Sequence, residues 1–486
     1  MPIPGQTLTR RDPGLGGVPQ AATTACYLGT SSSGVVDTLV SYSRKSDVVD
    51  ALGQGPLVED LCRHLDLVGG PVYGMRVTGS VAAAAGSVTK TAVGSSTGTV
   101  TVAAQVPYDA YEVIVEITVT GALGTGQFRY SLDDGRTYSP SLVIPAGGTY
   151  LIPNTNVTMT FVVGAGPVFF EDGDTHEFDC TAPYYSTANV ATAVAALLAS
   201  LNEFAYLVLV GEPASTSDGA AMFAALATHL ASFRSAYRYI RGIVMDAGTD
   251  TTTNAISDFA ASASQGIVVC YGDADIASSK PFVGWGSPKR SLVSLVGPKI
   301  GQMALSEDGA RLNSGPLTGV LSVSHNEFIN EEVDQHKFTT ARTFAGRTGF
   351  WLTNINMKSA VGSDYEFWQH SAMMAVAETV VHTKQQEFLS IGVATNGDGT
   401  IQEGDAVRLE AIVLEVLRAT FLEPVDVEGN SGHVAAVDYK IDRANNLLST
   451  KTLLATVAIQ PKAYVKQVAT TIGYAQILIS DVATAA

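Results

Sequence analysis

Apolar and polar residues follow three different rhythms along this chain. Residues 1–20 are rich in Pro and Gly, show no periodicity and read as an extended arm. The run ATTACYLGT then predicts a strand. Val49, Leu52, Leu61 and Leu65 predict one helix from Asp47 to Leu67, capped by Ser46 and followed by a second strand, PVYGMRV. From 81 to 183 the period shortens to two residues. TGTVTVAA, YEVIVEITVT, QFRYSLDD, TYLIPNT and VTMTFVV, separated by Gly-rich or Asp-Gly turns, predict an antiparallel β-sandwich.

From Ser186 to about 350 helices and short apolar strands alternate: helix 187–202, strand 206–211, helix 218–233, strand 240–246, helix 253–264, strand 266–272. That order predicts a mainly parallel sheet with helices on both faces. The strands at 25–29 and 72–77 share its apolar, β-branched character and are expected to join it, which makes 81–183 an insertion. Beyond 350 come a strand, GFWLTN, a helix from about Asp364 to Leu389, a turn, TNGDGTI, and a helix over 404–422. Its face carries Leu409, Ile412, Val413, Val416 and Leu417. The chain closes in β-like runs, AAVDYKI, TKTLLATVAIQP and AYVKQVATTIGYAQILIS, which need a partner sheet edge. The expected class is α+β multidomain. Its parts are an arm (1–20), a central α/β domain (21–80 with 184–349), a β-sandwich (81–183) and an α+β C-terminal domain with a strand arm (350–486).

Charge sharpens this picture. The 486 residues carry 29 Lys+Arg against 46 Asp+Glu, a net charge of −17, and only 15% are charged. The acidic balance argues against nucleic acid as a partner, and the scarcity of charge suggests a surface that other subunits cover. Residues 81–183 hold ten acidic side chains against Lys90, Arg129 and Arg136. Residues 1–45 and 433–486 are each net +2, so mildly basic ends flank an acidic body. The stretch Val190–Val210 is apolar, but Asn202-Glu203 interrupts it and its period changes there from helix to strand. No membrane insertion is expected. Cys26, Cys62, Cys180 and Cys270 are too scattered for a disulfide framework or a zinc site and are expected to be buried free thiols. The N-terminus lacks the apolar core of a secretory signal.

Candidate chemistry is sparse. Gly94-Ser-Ser-Thr-Gly98 matches a nucleophile pattern but lies in a turn of the β block rather than between strand and helix. Asn396, Asp398, Thr400 and Gln402 begin like a calcium loop, but Ile401 and Val407 replace its glycine and glutamate, so a tight turn is expected. Asp273 and Asp275 follow a parallel strand and read as a cap or loop pair. Cys62 and His64 lack further ligands. Ser131-Leu-Asp133-Asp-Gly135-Arg-Thr137-Tyr138 resembles the Asp-box of sialidase-type propellers, a hairpin stabiliser. No catalytic residue, cofactor or metal is expected, and the chain is not read as an enzyme.

Four pieces in order resemble the contractile-tail sheath proteins of phages and phage-derived injection systems. They are Asp12-Pro13-Gly14 with the strand TTACYLGT; DVVDALGQGPLVEDL before GGPVYGMRV; GRTGFWLTN, a long helix and the NGDGTI turn; and VDYKIDRANNLLSTKTLLATVAIQP followed by AYVKQVATTIGY. The N-terminal arm departs from the family in lacking an acidic pair near the Pro-Gly. The resemblance implies a subtilisin-like, non-catalytic centre and a structural subunit. Such a subunit polymerises helically in stacked rings of six around an inner tail tube. It contracts to drive that tube through a target cell envelope.

Implied partners are other copies of the chain, the inner tube protein, and baseplate and tail-terminator proteins. The implied location is a virion tail assembled in the host cytoplasm. Inter-subunit contacts are expected from Thr7, Leu8, Arg10 and Arg11 at the N-terminus, and from Tyr464, Val465, Lys466, Val468, Ile472 and Tyr474 at the C-terminus. Lys440, Arg443 and Lys451 are candidate tube-facing cations. The alternative reading is a virion adhesin or carbohydrate-active tail protein, supported by the Asp-box and the β block. A tail tube would be mostly β, which 186–350 contradicts.

Overall fold

A computed structural model describes residues 23–103, 106–165, 169–277, 289–328, 332–425, 429, 431–466, 468 and 470. The arm expected over 1–20 lies outside them. The first described segment gives β1 (Ala25–Gly29), β2 (Leu39–Tyr42), α1 (Lys45–Leu52), α2 (Pro56–Leu67) and β3 (Val72–Arg76). The single helix expected over 47–67 is therefore two. Gly53 and Gly55 take φ of 71° and 130°, which few side chains tolerate, and Pro56 then opens α2. Ser46 is not the cap either. Arg44 holds that position, and Ser46 sits in the first turn bonded to Asp47.

The described residues of 81–183 form eight strands: β4 (Thr89–Thr91), β5 (Thr99–Val102), β6 (Tyr111–Val119), β7 (Gln127–Ser131), β8 (Leu142–Val143), β9 (Thr149–Ile152), β10 (Val157–Val162) and β11 (Thr175–Cys180). They make two antiparallel sheets, ordered β5-β10-β9 and β4-β11-β6-β7-β8. Val113, Val115, Ile117 and Phe128 of the larger sheet share one core with Val100, Met159 and Phe161 of the smaller. Alternation along β6 turns every second residue into that core.

The chain then returns through α3 (Thr187–Ala199), β12 (Tyr206–Leu209), α4 (Thr216–Ser235), β13 (Ile243–Asp246), α5 (Thr252–Asp258) and β14 (Ile267–Cys270). One six-stranded sheet results, ordered β14-β13-β12-β1-β3-β2, parallel except for the edge strand β2. β1 lies between β12 and β3, so strands before and after the 81–183 segment belong to the same sheet. Tyr27, Tyr206, Val208 and Val244 face a core with α2; Cys26, Leu28, Leu207 and Leu209 face α3 and α4 on the other side. Gly74 lets α2 lie close on β3, because a Cβ there would stand 2.7 Å from Leu61. Ser186, Ser215 and Thr251 cap α3, α4 and α5. α5 stops six residues earlier than expected, since Ala260–Gly266 carries no large apolar side chain to continue its face.

An antiparallel trio follows, β15 (Asp273–Ile276), β16 (Lys289–Ser291) and β17 (Val320–Val323), with α6 (Val293–Gln302) in the first core. A short pair, β18 (Ala341–Arg342) and β19 (Trp351–Leu352), leads to α7 (Trp368–Gln386) and α8 (Glu403–Phe421). The chain closes in β20 (Val434–Ile441), α9 (Leu447–Thr450) and β21 (Ala455–Pro461). Val376 and Val380 of α7, Leu409 and Val413 of α8, and Tyr439 and Ile441 of β20 build the last core. Among the described residues, no helix is long and apolar enough to cross a membrane.

Candidate assembly surfaces

Among the described residues the β20–β21 hairpin is a two-stranded sheet whose inner strand lies on α8. Val434, Tyr439 and Ile441 are buried there, whereas β21 has no buried residue. Two strands alone are marginal in water, and an unpaired strand edge is a template for another chain. The geometry offers a sheet that a further strand can extend.

The chain leaving β21 turns back over its own body. The Tyr464 hydroxyl donates to the Ser306 carbonyl at 2.8 Å, and its ring lies 5.8 Å from that of His370. Lys466 pairs with Asp308, donates to Asn354 Oδ1 at 2.7 Å, and sits 4.2 Å from the centre of the Phe367 ring. Val465 and Val468 are instead 81% and 78% exposed. Thus two of the expected arm residues contact their own subunit and two face outward. Thr7, Leu8, Arg10, Arg11, Ile472 and Tyr474 lie outside the described residues.

The three candidate cations differ in kind. Lys440 and Lys451 are exposed. Arg443 is pinned: it pairs with Glu403 at 3.0 Å and with Glu410, whose carboxylate also accepts from the Ile441 amide. Those bonds raise the Arg443 pKa and hold the Glu410 carboxyl below its ordinary value. Its charge is largely spent inside the subunit.

Charged residues also fasten the inserted sheets to the body. In the Asp-box, the Ser131 hydroxyl donates to Asp133 at 2.7 Å, and Asp133 accepts from the Thr137 amide and hydroxyl. Arg136 at its tip reaches Asp275 at 2.6 Å. A second tie is buried: Arg290 pairs with Asp109 at 3.2 Å and donates to the Ala110 carbonyl. Glu59 and Arg63, paired at 3.1 Å, and Asp60 on α2 are buried too. Burial lifts the Asp60 carboxyl to about 6 against the pull of Ser294 and Arg63.

Asp273, the first aspartate of the D-x-D pair, faces Lys289 at 3.8 Å. It lies beyond the carboxyl ends of the parallel strands, where Glu212 and Asp246 also carry buried carboxyls. Burial, then the Asp273 charge, raises Asp246 to about 7, although the Ser291 hydroxyl and the Gly248 amide donate to it. Sequence reading singled out Asp273 but missed its neighbours; the signal was an acidic residue at or three positions beyond the end of β12, β13 and β14. Elsewhere the motifs serve structure. Ser96 and Lys90 tie the Gly94–Gly98 turn to Asp174. Asp398 accepts from the Thr400 amide at 3.0 Å. His64 bonds Tyr27 at 3.0 Å, and burial lowers it to about 4. Among the described residues no group of three or more His, Cys, Asp or Glu side chains could hold a metal ion. All four cysteines are buried and none is in a disulfide.

Three solved structures share this fold at low identity. The sheath complex of an extracellular contractile injection system, PVC, in its contracted state is 9% identical, with 99% of each chain covered and a TM-score of 0.54. The contracted helical sheath of the anti-feeding prophage is 10% identical, covering 98% of this chain and all of that one, with a TM-score of 0.52. A chain of the sixfold-symmetrised anti-feeding prophage baseplate is 10% identical, with the same coverage and a TM-score of 0.51. No curated protein matches the sequence. The family model described as DUF2586, N-terminal domain, matches residues 5–356. With well over half of its length under that model, the chain belongs to the DUF2586 family.

Proposed function

We propose that this chain is the structural subunit of a contractile tail sheath. In this reading it polymerises as a helical tube around an inner tail tube and contracts to drive that tube through a target cell envelope. The observation that carries the reading is a fold shared over nearly the whole chain with sheath subunits of two contractile injection systems. The half-open β20–β21 hairpin supports it, because open helical assembly needs contacts that do not close on themselves.

The parts take these roles. Residues 21–80 and 184–349 form a subtilisin-like, non-catalytic body, 81–183 a β-sandwich facing outward, and 350–486 the C-terminal domain. The arm over 1–20 and the chain end add strands to neighbouring sheets. Rings stack sixfold, Lys440 and Lys451 face the acidic tube, and baseplate and terminator proteins bound the ends of a virion tail assembled in the host cytoplasm. Contraction draws on interface newly buried once a kinetic barrier is lifted, and it uses no nucleic acid, cofactor or catalysis.

Deleting residues 1–15, or 463–486, is expected to leave a folded subunit that forms no tubes in negative-stain microscopy. Tubes of normal length from either truncation would remove the arm assignment.

A further inference from the structure

The C-terminal extension is held by its own subunit before it can reach any other. Tyr464 and Lys466, two residues apart, both turn onto the body, while Val465 between them stands out. The contacts come from three separate places: the loop after α6 (Ser306, Asp308), the second residue after β19 (Asn354), and the start of α7 (Phe367, His370). They also differ in chemistry. A neutral hydroxyl bond, a carboxylate pair, an amide bond and a cation over an aromatic face act on two adjacent anchors. The Asp308 side chain is only 14% exposed and that of Lys466 is 33% exposed, so the pair is partly shielded from solvent. The ground beneath is itself fixed, because the Ser306 hydroxyl bonds His433 at 2.9 Å just before β20.

We propose that Tyr464 and Lys466 form a clasp that fixes the root of the C-terminal arm to its own subunit. The point at which the chain becomes available to a neighbour is then Lys466, not the end of β21 at Pro461. A pull on the arm passes through the clasp into the body at α6, β19 and α7 together, rather than peeling β21 from β20. This mechanical role rests on the sheath reading; the clasp itself does not.

Trypsin tests it on the full chain, because Lys466 is both the anchor and a cleavage site. Cleavage after a clasped lysine requires local opening, so its rate follows the open population. In the wild-type protein, release of 467–486 should be at least about tenfold slower than cleavage at the same bond in a peptide spanning 460–472. Asp308→Asn and, independently, Phe367→Leu should each bring it several-fold toward the peptide rate. A wild-type rate equal to the peptide's, or no change in either variant, would overturn the clasp. Tubes from Asp308→Asn should be shorter or irregular; wild-type-like tubes would overturn the pivot. Absence of tubes from the wild-type protein counts against the sheath reading, and the clasp then stands or falls on the cleavage rates.

Discussion

The inserted sheets and the C-terminal hairpin are both antiparallel β structure, yet they are finished to different degrees. In the insertion each inward-facing position meets a second sheet, and Phe128, Phe161 and Phe170 are closed in one core. In the hairpin β20 buries Val434, Tyr439 and Ile441, whereas β21 only half-buries Val457 and Ile459 against the same core. One region closes a core of its own, whereas among the described residues the other is a two-stranded sheet with no further strand beside it. Substitutions in the first should act on folding, and substitutions around the second on assembly.

The largest effect tests the closed region. Phe128→Ala should cost about 3–5 kcal/mol by urea unfolding, since a ring with no exposure leaves a cavity between two sheets. A loss below about 1 kcal/mol would mean that the sheets do not share a tight core. Next comes the tie between insertion and body. Arg290→Met removes the buried ion pair with Asp109, itself 1% exposed, and should cost about 3 kcal/mol in the same measurement.

A smaller effect of opposite sign belongs to Asp246. Its carboxyl titrates near 7 when folded, against about 3.9 in an unfolded chain, so the folded state binds more protons between those values. Its contribution to stability therefore falls as pH rises from about 4 through about 7. Asp246→Asn should flatten that fall and gain about 1–2 kcal/mol at pH 8, with no gain at pH 4, in melts across pH. A gain equal at both pH values would assign the effect to packing. The smallest change in stability concerns Lys440 and Lys451. Replacing either with Glu should move the free subunit by less than about 0.5 kcal/mol, while co-sedimentation with the inner tube weakens. A stability loss with unchanged tube binding would reverse the contrast between the two regions.

The sequence made the α/β layering legible because the apolar runs YLVLV and IRGIVMD were each followed by a helix with a Ser or Thr cap. That β1 and β3 join this sheet was legible in the apolar character they share with β12 to β14, whereas the strand order was not. The split between α1 and α2 was also readable in Gly53-Gln-Gly55-Pro56, but the helical spacing on either side masked it. The ties could not be read. Arg136 with Asp275, and Arg290 with Asp109, join residues more than a hundred positions apart, and no local period records such a pair. For the same reason Arg443 looked like a free cation, although Glu410, thirty-three residues away, already holds it. The clasp at Tyr464 and Lys466 is a third case. Their strand-like run gave no sign that one face would be taken by the subunit's own loops.

The central claim, that this chain assembles with itself into an open helical tube, is tested most directly by negative-stain electron microscopy of the purified full-length protein across a range of concentrations. The account predicts long hollow tubes with a regular helical surface pattern. Discrete closed particles or monomers at every concentration would contradict it.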